Sequence, residues 1–536
     1  MNTRVLTPLL LTALVTGCGA AFDGAYGIGC RGDDECGDGQ VCFIDGCGDP
    51  GKNIVVEVVP NPKGGLYAQD FRVDDLRSEQ NLELFDPAAL QGQVSVSGVS
   101  GSTNYSAPVT LRLTGESLLI PGVPRRHEST LTPADGAYTL PVGSGHYTVT
   151  LTATNTELPP VYDTRDVQPG QTVGLDFQLP VSTELVRLSS KVLRSSDKTV
   201  DADLEIQALD EDLRPISQRA TVTRISGAFT LALPPSALRL TTVILQVTPT
   251  SADALVPQKQ FTVNPRQALQ ESLLMGDYGD PVTLRGHVLD PDRKPVPQAT
   301  VYLQGKVGGG GQYRSRKVLT DATGAFELLT LPGSPDSQMT LYVNPPPGSP
   351  AGLTQKAISV PRAATTVVPD VVCGGRMKVT GTLRMPSGSL PAAGVRVVAE
   401  PLGEVLGWSR PSFSFEALRP TDDMGRFELS LDPGQYRFDF IPTEDLPRVS
   451  RIVTVRPLEG ALSNMSLELS PFTLSKGRRI TGLVGFSGEK LTQSNVPYAS
   501  IRFFRVVDVE GRKSALLLTQ TLTDQNGTYS TTVPTR

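Results

Sequence analysis

The chain holds 536 residues, with 49 Lys and Arg against 55 Asp and Glu and a formal charge of −6. One hydrophobic core stops growing near about 250–300 residues, so several domains are expected, and an acidic chain with no offsetting Lys/Arg cluster is a poor match for nucleic acid. The three histidines, His127, His146 and His287, stand alone, none in an H-E-x-x-H or H-x-x-E arrangement, which argues against a zinc hydrolase site. No titratable cluster can be assembled, so no enzyme, cofactor or metal is expected. The 52 glycines and 44 prolines, few aromatics and many Val, Leu and Thr favour an all-β fold of short strands and tight turns.

The chain opens "MNTRVLTPLLLTALVTGC": one cation at Arg4, an apolar run from Val5 to Val15, then small residues up to Cys18. That run is too short for a membrane span of about 20 residues and reads as a secretion signal. Its ending, Val15-Thr16-Gly17-Cys18, resembles the lipobox of bacterial lipoproteins. The resemblance implies removal of residues 1–17 and acylation of Cys18 as the first mature residue. Several acyl chains anchor a protein firmly, since each buried methylene contributes about 0.8 kcal/mol. Gly19 after the cysteine, rather than Asp, points to the outer membrane, on its periplasmic or its external face.

In residues 18–50, "CRGDDECGDGQVCFIDGC" places Cys30, Cys36, Cys42 and Cys47 beyond the signal, in an oxidising compartment. A segment this small needs covalent loops to hold its shape. Four cysteines allow three pairings, with Cys30–Cys42 and Cys36–Cys47 preferred. Zinc is disfavoured because no C-x-x-C pair occurs. Asp33, Asp34, Glu35 and Asp38 could ligate calcium, though solvated turn charges are the commoner case. Arg31-Gly32-Asp33 matches an integrin-binding tripeptide too short to carry weight.

Residues 51–89 form a connector containing strand. Beyond it a repeat sets in. "TPADGAYTL", "ISGAFTL", "TDATGAFEL", "TDDMGRFEL" and "TDQNGTYST" align on Gly136, Gly227, Gly324, Gly425 and Gly527, spaced by 91, 97, 101 and 102 residues. A second marker runs in phase upstream, at Gly92, Ser190, Gly286, Gly381 and Gly482. The glycine supplies the positive φ of a tight turn and the Asp of the signature caps it. Tyr138, Phe229, Phe326, Phe427 and Tyr529 then point inward on alternating strands. About seven strands per unit indicate antiparallel sandwiches of the immunoglobulin or transthyretin kind over 90–180, 181–279, 280–374 and 375–477. Short joints predict a semi-rigid row on the order of 150 Å long.

"GHVLDPDRKPVPQATVYLQG" followed by "TDATGAFELLTLPG" resembles the carboxypeptidase regulatory-like domain, a transthyretin-like sandwich without zinc ligands. Unit four matches nearly as well, units one, two and five more loosely. Signal, cysteine-rich module and tandem sandwiches together resemble surface lipoproteins of myxobacteria. Bland readings suffice elsewhere: "GKVGGGGQY" is a hairpin tip, Asp210-Glu211-Asp212 a solvated turn and Cys373 a buried thiol. Trp408 is the one aromatic in a position to stack a sugar. After Gly527 only nine residues remain, so residues 478–536 are expected to lack their closing strands, by truncation or because a partner strand completes them, with truncation preferred. The expected function is structural or adhesive, with carbohydrate or peptide binding as the alternative. Expected partners are the membrane, through the N-terminal lipid, and a surface protein or polysaccharide; no oligomeric state is implied.

Overall fold

The computed structural model describes residues 30 and 33–535, apart from 45, 62–63, 99–100, 155–156, 197, 270, 404–413, 444–445, 457–465, 489–494 and 510–511. The described chain is all-β, a set of antiparallel sandwiches behind a small disulfide-bonded module, as expected. In unit three, "TVYLQGK" and "MTLYVN" alternate so that Val301, Leu303, Leu341 and Val343 are fully buried. Their sheet runs Gln312–Arg314, Thr300–Lys306, Met339–Asn344, Thr354–Ile358. The facing sheet centres on Val282–Leu289, with Ala325–Thr330 antiparallel on one side and Val371–Val372 parallel on the other. That last strand both closes its unit and leads into the next. Phe177–Pro180, Leu273–Leu274 and Phe472–Thr473 do the same in units one, two and four.

The repeated glycines have a double constraint. Their φ values are 81°, 64°, 74°, 71° and 77° from Gly136 to Gly527. Each glycine carbonyl also accepts a hydrogen bond of 2.8–2.9 Å from the opening strand, from Val94, Val192, Val288, Leu383 or Val484. A Cβ on Gly425 would stand 2.2 Å from the Leu383 carbonyl oxygen. Gly425→Ala is therefore expected to destabilise unit four by about 1–3 kcal/mol or more. Hydrogen exchange confined to residues 377–473 reads this out, and unchanged protection there would contradict it.

Unit five departs from expectation. It is complete, and the N-terminal connector completes it. Ile54–Val59 pairs antiparallel with Ser500–Val509, from Ile54 opposite Arg505 to Val59 opposite Ser500. Gln69–Val73 lies outside it, and Leu82–Leu84 runs parallel to the opening strand Lys476–Phe486. In unit three the corresponding strands, Met339–Asn344, Thr354–Ile358 and Val371–Val372, come after Ala325–Thr330, the strand that follows the turn glycine. The match is detailed: Tyr138 Oη donates to the Leu175 carbonyl at 2.6 Å, and Tyr529 Oη donates to that of Gln80 at 2.5 Å. A Cβ on Gly92 or on Gly482 would sit 2.0 Å from those same two oxygens. Residues 41–84 and 480–533 accordingly share one core. The connector, unit five and part of the cysteine-rich module are thus one domain.

The expected row is corrected too, although units three and four keep largely separate cores. Units two and three share one continuous core, bridged by Met275 and Tyr278. Unit five touches unit one through Ile120, Val55 and Phe504, and touches unit four through Ile452. Contacts between successive units therefore close into a cycle, because the two ends of the chain meet in one sheet.

Candidate functional site

Two features stand out once turns and cores are accounted for: charged joints between units, and a cleft between units two and three. At the joint of units five and one, Arg125 reaches Glu57 with Nη1 at 2.6 Å and Asp70 with Nη2 at 2.7 Å. All three side chains are buried, and Ser117 Oγ donates to the second Asp70 oxygen at 2.5 Å. Burial still holds the Asp70 carboxyl above its ordinary value, with Arg125 opposing it. Arg376 and Asp432, both buried in unit four and 3.3 Å apart, reach unit three through its backbone: Arg376 donates to the Pro346 carbonyl at 2.9 Å and Asp432 accepts from the Leu353 N–H at 2.9 Å. Between units one and two Gln218 Nε2 donates to the Ala153 and Leu158 carbonyls at 2.9 and 2.7 Å, and at the surface Arg187 pairs with Glu157.

The cysteine-rich module sits at the joint of units four and five. Cys30 is bonded to Cys42 and Cys36 to Cys47, the preferred pairing. The sulfurs of Cys30, Cys36 and Cys47 lie within 4.8 Å of one another, yet all are in disulfides and none offers a thiolate to a metal. Asp33 is not a free calcium or integrin ligand: its Oδ1 accepts from the Cys42 N–H at 2.8 Å and from Ser475 Oγ at 3.2 Å. Burial raises its carboxyl and pushes the neighbouring Arg451 guanidinium down to about 10. Arg505 latches the module to unit five, lying 3.9 Å over the Phe43 ring while donating to the Asp49 and Lys52 carbonyls.

The cleft has a volume of about 940 Å³. Thr248 to Gln258 of unit two form one wall, and Gln304 with Gln312 to Lys317 of unit three form the other. A mutual backbone pair ties the walls, Gln258 N–H to Gln312 O at 2.7 Å and Gln312 N–H to Gln258 O at 2.8 Å. Ser315, buried in the middle of this wall, accepts from the Leu303 N–H at 2.9 Å and so turns Arg314 and Arg316 outward.

The other sequence candidates fall to structural roles or lie elsewhere. Cys18, Trp408, Arg31 and Gly32 are outside the described residues. The "GKVGGGGQY" loop is a hairpin tip whose glycines let unit two approach: a Cβ on Gly309 would sit 2.4 Å from the Met275 oxygen. Cys373 is buried, and burial raises its thiol, which keeps it unreactive. His127 stacks edge-on to Tyr67 at 5.6 Å, with its pKa lowered by burial, and His146 and His287 each face a lone aspartate. Asp210 caps its own turn through the Arg214 N–H at 2.8 Å. The turn aspartates Asp321 and Asp524 are held below the ordinary range first by the hydroxyls of Thr323 and Thr528 and then by two backbone N–H bonds each. The joint charges and the Arg314–Lys317 group were not singled out by sequence; the only signal for the latter is the run "RSRK" itself.

No protein family model matches the chain, and no curated protein matches it. Among solved structures, a Streptococcal ancillary pilin is 12% identical over 53% of this chain and 98% of its own, with a TM-score of 0.20. The Bacillus anthracis TIE protein is 12% identical over 72% of this chain and 73% of its own, with a TM-score of 0.17. The shaft pilin SpaA from Lactobacillus rhamnosus GG is 10% identical over 37% of this chain and 97% of its own, with a TM-score of 0.20. Scores of this size equate neither fold nor function.

Proposed function

We propose that this is a non-catalytic cell-surface protein, a structural or adhesive head of five sandwiches held to the outer membrane by a lipid on Cys18. The observation that carries the reading is where the charge goes. Of the buried ionic groups, Arg125 with Glu57 and Asp70, Arg376 with Asp432 and Arg451 beside Asp33 lie at joints between units, where they fix one unit against the next, while Asp439 is paired with Arg437 and Arg448 inside unit four. The repeated Asp, Gly and aromatic residues are taken up by turns and cores. Such an arrangement suits a rigid display scaffold.

Eleven residues lie between Cys18 and Cys30, so a lipid on Cys18 would stand at most about 40 Å from the first disulfide. Because the module is packed on unit five, the anchor holds the unit that contains both chain ends. Detergent-phase partition of the full chain and of Cys18→Ala tests the anchor: wild type is expected in the detergent phase and the variant in the aqueous phase. Equal aqueous partition of both would sink it.

A further inference from the structure

We infer that the cleft between units two and three binds an acidic polysaccharide. The inference goes beyond the scaffold role and does not depend on Cys18. Three cations, Arg314, Arg316 and Lys317, stand within four residues on one wall, all exposed. Several exposed cations on other strands are matched by carboxylates across the strand, as Arg285 is by Glu327 at 2.9 Å, Lys378 by Glu428 at 2.7 Å and Arg396 by Glu416 at 2.9 Å. None of the three has an ion-pair partner among the described residues, and Asp253 is the only carboxylate lining the cleft. In a chain of net charge −6 this is a local inversion of sign.

The cations are also held in place. Arg314 lies 4.5 Å over the Tyr302 ring and Lys317 5.8 Å from it, and Tyr302 is itself stacked on Tyr342 at 4.8 Å with a 3° tilt. Arg314 ends the strand Gln312–Arg314 and Arg316 follows two residues on, past buried Ser315, both exposed and able to meet successive charges of a polymer. The tied walls keep the cleft preformed, which lowers the ordering cost of binding. Gln258, Gln304, Gln312 and Ser251 add the neutral donors and acceptors that sugar hydroxyls require. Single-stranded nucleic acid is the less fitting polyanion. It needs open aromatic faces for its bases, whereas Tyr302 is only 8% exposed and its faces are taken by Tyr342 and the cations.

Titration calorimetry of the intact chain against alginate, heparin, dextran and oligo-dT tests the assignment. Alginate or heparin is expected to bind, more weakly as salt rises, with dextran silent and oligo-dT weaker. The triple variant Arg314→Gln, Arg316→Gln, Lys317→Gln is expected to weaken binding at least roughly tenfold, since hydrogen bonds to charged groups are the strong ones. A control triple at paired cations, Arg285→Gln, Lys378→Gln, Arg396→Gln, should leave affinity unchanged. The variant positions are exposed, and matching hydrogen-exchange maps confirm that both proteins are folded. No binding of either acidic glycan, equal loss in both triples, or oligo-dT as the tightest ligand would overturn the inference.

Discussion

A chain lacking residues 30–84 will lose its fifth sandwich while units two to four stay folded. The deletion removes the second strand of one sheet and the closing strand of the other, leaving Ser500–Val509 and Lys476–Phe486 each with an open edge. It also removes Ile54, Val56, Val58, Leu82 and Leu84, all at or near full burial. At about 1.5–3 kcal/mol for each such side chain, the loss rivals the roughly 5–15 kcal/mol that holds a whole domain folded. Hydrogen exchange should show residues 476–535 losing protection while 282–372 keep theirs. A synthetic peptide spanning 49–86, added in trans, should restore protection to the deleted chain. Full protection of 476–535 without the peptide would show that the N-terminal strands decorate a unit already stable alone.

The repeat was legible because its parts are local. A glycine forced to positive φ, an aspartate capping the same turn and an aromatic two residues on all sit within one short window, and the structure places Gly324, Asp321 and Phe326 accordingly. The completion of unit five was not local: the partners of Ile54–Val59 lie more than 400 residues away, and alternation marks a strand without naming its sheet. A signal was nevertheless present. The strand in question ends in proline in several units, as "VILQVTP", "YRFDFIP" and "IVVEVVP", and Pro60 sets the last of these in the same series. Glu57 shows a second limit. The alternation puts it outside its own core, which is correct, but that outer face is covered by Arg125 of unit one rather than by water. The Arg314–Lys317 group was passed over because the chain is acidic as a whole, and a total charge averages away a patch of three.

Arg125→Met is expected to be among the most destabilising single substitutions in the molecule, by about 3–5 kcal/mol, because it leaves buried carboxylates without their cation. Glu57 keeps Arg502 at 2.5 Å, so the loss falls mainly on Asp70, which retains only Ser117. The deficit should depend on pH with a definite sign. The Asp70 carboxyl already stands above 3.8 in the folded chain, so its contribution to stability is greatest below that value and is lost as the pH rises through the raised one. Without Arg125 the folded value moves higher still, since desolvation then acts with less opposition. The gap between variant and wild type should therefore be widest near neutral pH and narrow as the solution is acidified toward 3.8. Urea denaturation at neutral and acid pH, followed by hydrogen exchange across residues 54–73 and 109–131, measures both the size and the slope. Adding Asp70→Asn and Glu57→Gln to Arg125→Met should recover most of the lost stability, because neutral polar groups of the same shape no longer need the guanidinium. A gap that is constant across pH, or a triple variant no more stable than Arg125→Met, would show that Arg125 acts through its packing alone.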